Sequence, residues 1–163
     1  MARMVRLFLS FLALCLMFIS PAHSDDYGKG VLAYKAKDYA GAMRLWKPLA
    51  EKGDARVQFI VGNLYYKGQG TNQNDKLAFK WFKRAAEQGN VKAQNNLGTM
   101  YMRGLGIRQN YARAYIWLTI AASKKDETAA KNLRVMSKEM DPGEIEKGKR
   151  LSSECIEKEF KGC

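Results

Sequence analysis

The sequence predicts an all-α protein, built as a short right-handed α-solenoid of antiparallel helix pairs and closed by a C-terminal capping helix. Three observations lead to this fold class. The chain repeats itself at an interval of 36 residues. Glycines and helix-capping residues recur at the same points of each repeat, and small and large apolar residues within a repeat follow the helical spacing i, i+3, i+7.

Eight identities at one offset establish the period. The first copies are Gly62, Tyr65, Gly68, Gly70, Ala78, Trp81, Ala85 and Ala86, and the second copies are Gly98, Tyr101, Gly104, Gly106, Ala114, Trp117, Ala121 and Ala122. Weaker matches continue on both sides, as is usual for the end units of a repeat array. We therefore divide the chain into a signal peptide at 1–24, a degenerate N-terminal repeat at 25–53, repeats at 54–89 and 90–125, and C-terminal capping helices at 126–163.

The first helix of each full repeat has clear start and stop signals. It is expected to begin after a residue that can cap it, Asp54 or Asn90, and to end at a glycine that can adopt the left-handed conformation, Gly68 or Gly104. We assign the recurring glycines, alanines and tryptophans to core packing, because small residues beside a large indole let two helices approach closely.

The second helix is expected to begin near Asn74 or Asn110. In the N-terminal unit, Tyr34 precedes Tyr65 by only 31 residues, so that the connection there should lack the Gly-x-Gly turn and be about five residues shorter. After Met140, the run Asp-Pro-Gly-Glu is a helix start signal, which predicts a final amphipathic helix that covers the last repeat.

The N-terminus has the pattern of a secretory signal peptide. Basic residues precede an apolar run, Leu7 to Ile19, that is shorter than the roughly 20 residues a membrane-spanning helix needs. Small residues before Asp25 place the expected cleavage between Ser24 and Asp25. A lipoprotein signal is the alternative, although the residue before Cys15 is bulky. The mature protein is thus expected to be periplasmic or secreted, with no membrane span.

The chain is strongly basic, with a formal net charge of +12. Loss of the signal peptide would leave about +10, which favours acidic partners. No carboxylate occurs between Glu87 and Asp126, so this block should form the most basic face of the protein. The residues assigned to the basic face are Lys92, Arg103, Arg108 and Arg113. The alternative interpretation is an ordinary solvated surface.

The residues expected in the mature chain offer little for catalysis. The sole histidine, His23, lies in the predicted signal peptide, so neither a histidine-dependent triad nor a common zinc site can be assembled. The sequence contains no phosphate-binding glycine loop. Its Gly-x-Gly sequences recur at the same point of each repeat and do not follow a strand, so we assign them a structural role. We expect no enzyme activity, no cofactor and no metal, and, because the protein is expected to be exported, no nucleic-acid partner.

Two cysteines, Cys155 and Cys163, remain after the predicted cleavage. An even number of cysteines in an oxidising compartment favours one disulfide between them. Two free thiols or an intermolecular link are the alternatives.

The segments that carry a family resemblance are Gly62–Gly70 with Lys80-Trp81-Phe82 and Ala85–Gly89, and Leu97–Gly106 with Ala114–Trp117 and Ala121-Ala122. They resemble the Sel1-like repeat, a relative of the tetratricopeptide repeat. The resemblance implies an adaptor that gathers protein partners on the concave side of a solenoid, and the cysteine spacing is similar to that of bonded pairs in cysteine-rich members. Some of those relatives are described as β-lactamases, but the Ser-x-x-Lys element of that chemistry is not found here.

In paired-helix solenoids of this type, the first helices line the concave groove. The non-packing positions of those helices are therefore the predicted partner-binding groove: Phe59, Asn63, Tyr66, Asn95, Thr99 and Met102, followed by Lys131, Val135 and Lys138. Our hypothesis is that an acidic or amphipathic segment of a partner protein docks there, in the bacterial envelope. The alternative is a purely structural role, in which Phe59 and Tyr66 fill gaps between repeats. A different function would be binding of an anionic envelope polysaccharide or lipid head groups to the basic face.

Overall fold

The computed structural model describes residues 22–163, with side chains from Asp25 onward. All regular structure in this range is α-helical, as predicted. The predicted signal peptide falls almost entirely outside the described residues. The eight helices of the described range are α1 (Ala22–Lys35), α2 (Tyr39–Glu51), α3 (Ala55–Lys67), α4 (Asp75–Glu87), α5 (Val91–Arg103), α6 (Tyr111–Ser123), α7 (Glu127–Ser137) and α8 (Pro142–Glu157).

The helices stack as a solenoid. From α1 to α7, each helix packs against the helix before it and the helix after it, and α7 also touches α5. The last helix departs from this order, because α8 packs mainly against α6. The predicted solenoid of helix pairs, with a cap over the last repeat, is confirmed.

The caps that the sequence indicates begin and end the repeat helices. The side chains of Asp54 and Asn90 accept hydrogen bonds from backbone amides in the first turns of α3 and α5, and those of Asn74 and Asn110 do the same for α4 and α6. Both α3 and α5 end at a glycine in the left-handed conformation, Gly68 and Gly104. Each of these helix starts therefore has unpaired amides satisfied by a local side chain, and the ends at Gly68 and Gly104 are closed by backbone hydrogen bonds.

The connection inside the N-terminal unit is shorter than the others, as predicted. Residues 36–38 join α1 to α2, whereas residues 68–74 and 104–110 join the helices of the next two pairs. The difference is four residues instead of five. Lys37 adopts the left-handed conformation in this tight turn, with a φ of 62°, and Asp38 then caps α2.

Recurring small residues sit where helices touch. A Cβ atom built on Gly62 would lie 2.7 Å from the Phe82 ring, and one built on Gly98 would lie 2.7 Å from the Leu118 side chain. Ala78, Ala85, Ala86, Ala114 and Ala121 are fully buried in the same core as Trp81 and Trp117, and Ala122 is half-buried against it. Core packing is thus confirmed as the role of these residues.

The second glycine of each Gly-x-Gly turn joins one repeat to the next. A Cβ atom on Gly70 would lie 2.3 Å from the carbonyl oxygen of Tyr39, the first residue of α2, and one on Gly106 would lie 2.3 Å from that of Asp75, the first residue of α4. Both glycines have a positive φ, 71° and 69°. Close backbone contact and left-handed geometry together explain why glycine recurs here.

Two buried glutamines, which the sequence analysis did not single out, also recur at the period. Gln58 and Gln94 donate hydrogen bonds of 3.0 and 3.1 Å from Nε2 to the carbonyl oxygens of Ala50 and Ala86. Each bond joins the start of one repeat to the last turn of the helix before it. These bonds hold successive repeats together. They also give a partner to the buried Nε2 amide group of each glutamine.

The C-terminal cap is held by close packing and by a covalent link. Gly148 of α8 lies directly against the Tyr115 ring of α6, where a Cβ atom would come within 2.7 Å. Ser152 is buried and bonded to the Gly148 carbonyl oxygen. Cys155 is joined to Cys163 by a disulfide, with a Cα–Cα distance of 5.7 Å.

Candidate functional site

An open cavity of about 570 Å³ lies between the N-terminal helix pair and α3. Its lining combines residues from α1 and α2 with predicted groove residues of α3. The lining residues are Val31, Tyr34, Lys35, Trp46, Phe59, Ile60, Asn63, Leu64 and Lys67. We call this the N-terminal cavity.

The wall contributed by α1 and α2 is aromatic and firmly packed. The Trp46 indole donates a hydrogen bond of 3.3 Å to the Tyr27 carbonyl oxygen, and its ring lies 5.8 Å from that of Tyr34. Gly30 makes this possible, because any side chain there would overlap the indole. Sequence reasoning missed this half of the cavity; its signal was the group of four aromatic residues in the degenerate repeat.

The rim of the N-terminal cavity is basic. Lys35 and Lys67 are exposed and lie at the last turns of α1 and α3, and no acidic residue lines the cavity. Asn63 is the neutral polar residue of the lining, and its Nδ2 donates a hydrogen bond of 3.1 Å to the Phe59 carbonyl oxygen in its own helix. The cavity therefore presents an apolar floor to a ligand and positive charge at the edge.

The predicted groove does not continue as one open channel. Tyr66 and Thr99 line a separate cavity of about 60 Å³ between α3, α4 and α5. A space of this size holds a few water molecules and no larger ligand. Tyr66 is half-buried there and packs against the core.

The predicted groove residues of α5 are partly covered by a side chain of the protein itself. Asn132 of α7 donates from Nδ2 to Asn95 Oδ1 at 3.4 Å and to Thr99 Oγ1 at 3.3 Å. Met102 is half-buried against the core. On α7, Val135 is 55% exposed, and the flanking lysines at 131 and 138 are exposed as well.

The four residues assigned to the basic face do not form one cluster. Lys92 and Arg103 lie at opposite ends of α5, about 16 Å apart along a helix that rises 1.5 Å per residue. Arg103 and Arg113 flank the turn between α5 and α6, and Arg108 lies within it. Arg113 of α6 donates a hydrogen bond of 3.1 Å from Nη1 to the hydroxyl of Tyr101 on α5, so its side chain extends toward α5.

A second open cavity, of about 280 Å³, lies where α6 meets α8 and the C-terminal turn. We call this the C-terminal cavity. It brings Arg113 together with Lys147, Lys158 and Lys161, and Glu154 is the acidic residue of the lining. Sequence reasoning missed this site because residues 124–163 have 10 basic and 9 acidic residues, which gives almost no net charge.

Residues 22–163 offer neither a metal-binding cluster nor a membrane-spanning helix. No group of three or more His, Cys, Asp or Glu side chains is placed to hold a metal ion in this range. No helix in the same range is both long and apolar enough to cross a membrane.

The Sel1 repeat family model matches this chain three times, at residues 26–54, 55–90 and 91–126. These matches cover well over half of the sequence. They coincide with the three helix pairs α1–α2, α3–α4 and α5–α6. No curated protein sequence matches the chain.

Two solved structures are similar to this chain. A protective antigen present in uropathogenic Escherichia coli strains, which displays an SLR fold, is 25% identical with a TM-score of 0.78; the match covers 85% of this chain and 31% of that one. A Sel1 repeat protein from Oxalobacter formigenes is 38% identical with a TM-score of 0.60; the match covers 64% of this chain and 43% of that one. The chain thus spans less than half the length of either neighbour. With three repeats matched and the same helical stacking, the chain belongs to the Sel1 repeat family.

Proposed function

We propose that this protein is a non-catalytic adaptor that binds an acidic, amphipathic segment of a partner protein in the N-terminal cavity. The family supports the general role, because Sel1 repeats generally mediate protein–protein interaction. The observation that carries the specific proposal is the combination, in one open cavity of about 570 Å³, of an apolar floor with two lysines at the rim.

The apolar floor suits the side chains of an amphipathic helix. Phe59, Ile60 and Leu64 from α3 face Val31 and Trp46 across the cavity. Aromatic and aliphatic anchors that enter a packed pocket usually contribute most of the binding energy of an interface. Since the aromatic wall is fixed by the Trp46 hydrogen bond, little entropy would be lost on ordering it.

The rim selects the sign of the partner's charge. Neither Lys35 nor Lys67 has a carboxylate partner among residues 22–163, so a docked acidic segment can pair with both. Exposed charges of this kind speed encounter and exclude basic partners more than they add affinity. Phe59 and Asn63 are the predicted groove residues that line this cavity and form the centre of the proposed site, whereas Tyr66, Asn95, Thr99 and Met102 lie outside its lining.

Export to the bacterial envelope is the second part of the proposal. Its support is the signal-peptide pattern of residues 1–24 and the Cys155–Cys163 disulfide, which is the form that cysteines keep in an oxidising compartment.

The test uses a fluorescent synthetic helix with leucines along one face and glutamates along the other, titrated with the purified protein and followed by anisotropy. Lys67→Glu should weaken binding on the order of tenfold, which corresponds to about 1.4 kcal/mol. Arg103→Glu is the matched control, because residue 103 is the equivalent of residue 67 one repeat later, and it should leave affinity unchanged. A peptide with lysines for glutamates should bind the Lys67→Glu variant better than the unaltered protein.

Equal losses in Lys67→Glu and Arg103→Glu would show that the peptide senses only the overall charge, and the proposed cavity would be wrong. Polyglutamate, which has no apolar residues, is the comparison for the alternative function. If polyglutamate bound as tightly as the amphipathic helix and its binding vanished with added salt, an anionic polymer would replace the protein partner as the proposed ligand.

A further inference from the structure

The C-terminal cavity gathers positive charge from separate parts of the chain. Arg113 comes from the first turn of α6, Lys147 from α8, and Lys158 and Lys161 from the C-terminal turn. Four cationic side chains thus border one cavity of about 280 Å³. Arg113 lies 34 residues before Lys147 in the sequence, so its meeting with the three lysines is a property of the folded cap.

The acidic residues nearby do not cancel this charge. Glu154, the acidic residue of the lining, is 2.5 Å from Arg150, which lies outside the lining. Glu159 lies 3.6 Å from Lys161, but both side chains are about four-fifths exposed, and such pairs contribute little. The cavity therefore keeps a net positive charge.

One cation is held in a fixed direction. Arg113 Nη1 donates a hydrogen bond of 3.1 Å to the Tyr101 hydroxyl, and the guanidinium carbon lies 5.7 Å from the centre of the same ring. A guanidinium held at one edge still presents its other N–H donors, which match the oxygens of a tetrahedral anion.

Two of the lysines are positioned by the disulfide. Lys158 and Lys161 lie inside the loop that the Cys155–Cys163 bond closes. Within that loop, Glu159 and Phe160 both adopt the left-handed conformation, with φ values of 50° and 67°. The Phe160 ring lies 4.5 Å from the Lys124 ammonium, which anchors the turn against the end of α6.

We propose that the C-terminal cavity binds a phosphate group. A phosphate carries about −1.5 to −2 charges and several acceptor oxygens, so it can satisfy cations that converge from three directions better than a single carboxylate can. Ile116 and Leu151 in the lining leave room for a small organic group attached to the phosphate. This site is separate from the N-terminal cavity, and it stands or falls independently of the adaptor function.

The test measures binding of inorganic pyrophosphate to the purified, oxidised protein by calorimetry at constant ionic strength. The double variant Lys158→Gln/Lys161→Gln should weaken binding at least about tenfold, because it removes two of the charge-assisted contacts. Lys76→Gln/Lys80→Gln is the matched control, since it removes the same charge from exposed positions on α4 and should leave affinity unchanged. Acetate at the same ionic strength should not compete.

Two further measurements identify the source of the phosphate and test the role of the disulfide. Phosphatidylcholine vesicles with and without phosphatidic acid separate a lipid head group from a free phosphate. Binding to either probe that depends on Lys158 and Lys161 supports the site and names its source. Reduction of the disulfide should weaken that binding while the helical circular dichroism persists. Equal losses in the two double variants, binding to neither probe, or affinity unchanged by reduction would overturn the proposal.

Discussion

Gln88 donates a hydrogen bond of 2.7 Å from its Nε2 to the Oε1 of Gln58, which joins the end of α4 to the start of α3. The equivalent pair one repeat later is Gln94 and Lys124. There the bond is missing: Gln94 is fully buried, its Oε1 has no hydrogen-bond partner among the described residues, and Lys124 lies over the Phe160 ring instead. The third repeat thus lacks the hydrogen bond that joins the two helices of the second repeat, and it has a contact with the C-terminal turn instead.

This difference predicts the effect of two substitutions at one position. Both Lys124→Gln and Lys124→Met remove the contact of the ammonium with Phe160, but only glutamine can donate to Gln94 Oε1. We expect the glutamine variant to be more stable than the methionine variant by about 0.5 to 1.5 kcal/mol, the net contribution of an ordinary hydrogen bond. Urea unfolding measures the difference. Equal stabilities would mean that residue 124 does not reach Gln94.

Gly106→Ala should be among the most destabilising single substitutions in the repeats. The new methyl group would overlap the Asp75 carbonyl oxygen, and φ is 69° at this position. A left-handed alanine costs roughly 1 to 2 kcal/mol before any overlap is counted, so the total loss should exceed about 2 kcal/mol.

Gly28→Ala is the control for this substitution. Gly28 lies within α1, and a Cβ atom there would have no neighbour within 4 Å. Alanine should therefore be neutral or stabilise the helix by up to about 1 kcal/mol. Thermal unfolding of both variants gives the comparison, and similar melting temperatures would contradict the role assigned to the Gly-x-Gly turn.

The stability of the protein should fall in acid partly through Asp54. The side-chain hydrogen bond from Arg56 is the main cause that holds the pKa of Asp54 below its ordinary value of 3.8, and the backbone amides of Val57 and Arg56 lower it further, against the opposing effect of burial. Because the pKa is lowered in the folded state, the carboxylate stabilises the fold above pH 3.8, and this contribution disappears as pH falls through the lowered value.

Asp54→Asn tests this without removal of the cap, since Asn90 performs the same capping role one repeat later. The variant should lose less stability than the unaltered protein between about pH 5 and pH 2, as measured by urea unfolding across that range. Arg56→Gln should reduce the pH dependence in the same way, and the double variant should add little. A full acid response in both single variants would refute the assignment.

The Cys155–Cys163 disulfide should stabilise the protein and should be intramolecular. Closure of a loop of this length contributes about 2 to 3 kcal/mol in the chain-entropy model, so Cys155→Ser/Cys163→Ser should be less stable by about that amount. Reductant should lower the unfolding temperature of the unaltered protein but not that of the double variant. Intact mass with and without reductant reports the bond directly, and a dimer that reductant dissolves would point to an intermolecular link instead.

The repeats could be predicted closely because their determinants are local and periodic. Caps such as Asp54 and Asn90, and left-handed glycines such as Gly68, act on the helix ends beside them, so their effect can be inferred from the sequence. The buried Gln58 and Gln94 were equally visible at the 36-residue offset, but a glutamine gives no sign in sequence of whether its amide is buried. Only the approach of the helices decides that.

The two cavities could not be predicted to the same degree. Helical spacing places Phe59 and Asn63 on one face of α3, but the opposite wall depends on how close Gly30 lets α1 come to Trp46. The C-terminal cavity depends on a turn outside the period, where Glu159 and Phe160 reverse the chain and bring Lys161 toward Arg113. A count of charges along the sequence cannot reveal such a meeting, because it averages over residues that the fold separates.

The contact between each Gly-x-Gly turn and the preceding helix pair has a consequence for how this array can change in length. Gly70 contacts the backbone of Tyr39, and Gly106 contacts the backbone of Asp75. These two contact points are themselves 36 residues apart. A duplicated unit of 36 residues would bring its own turn and its own docking point, and would need no other adjustment. A deletion of only part of a unit would leave a Gly-x-Gly turn without the helix start that it contacts in the preceding repeat. The reach of such a protein can therefore grow or shrink by whole repeats, and not by fractions of one.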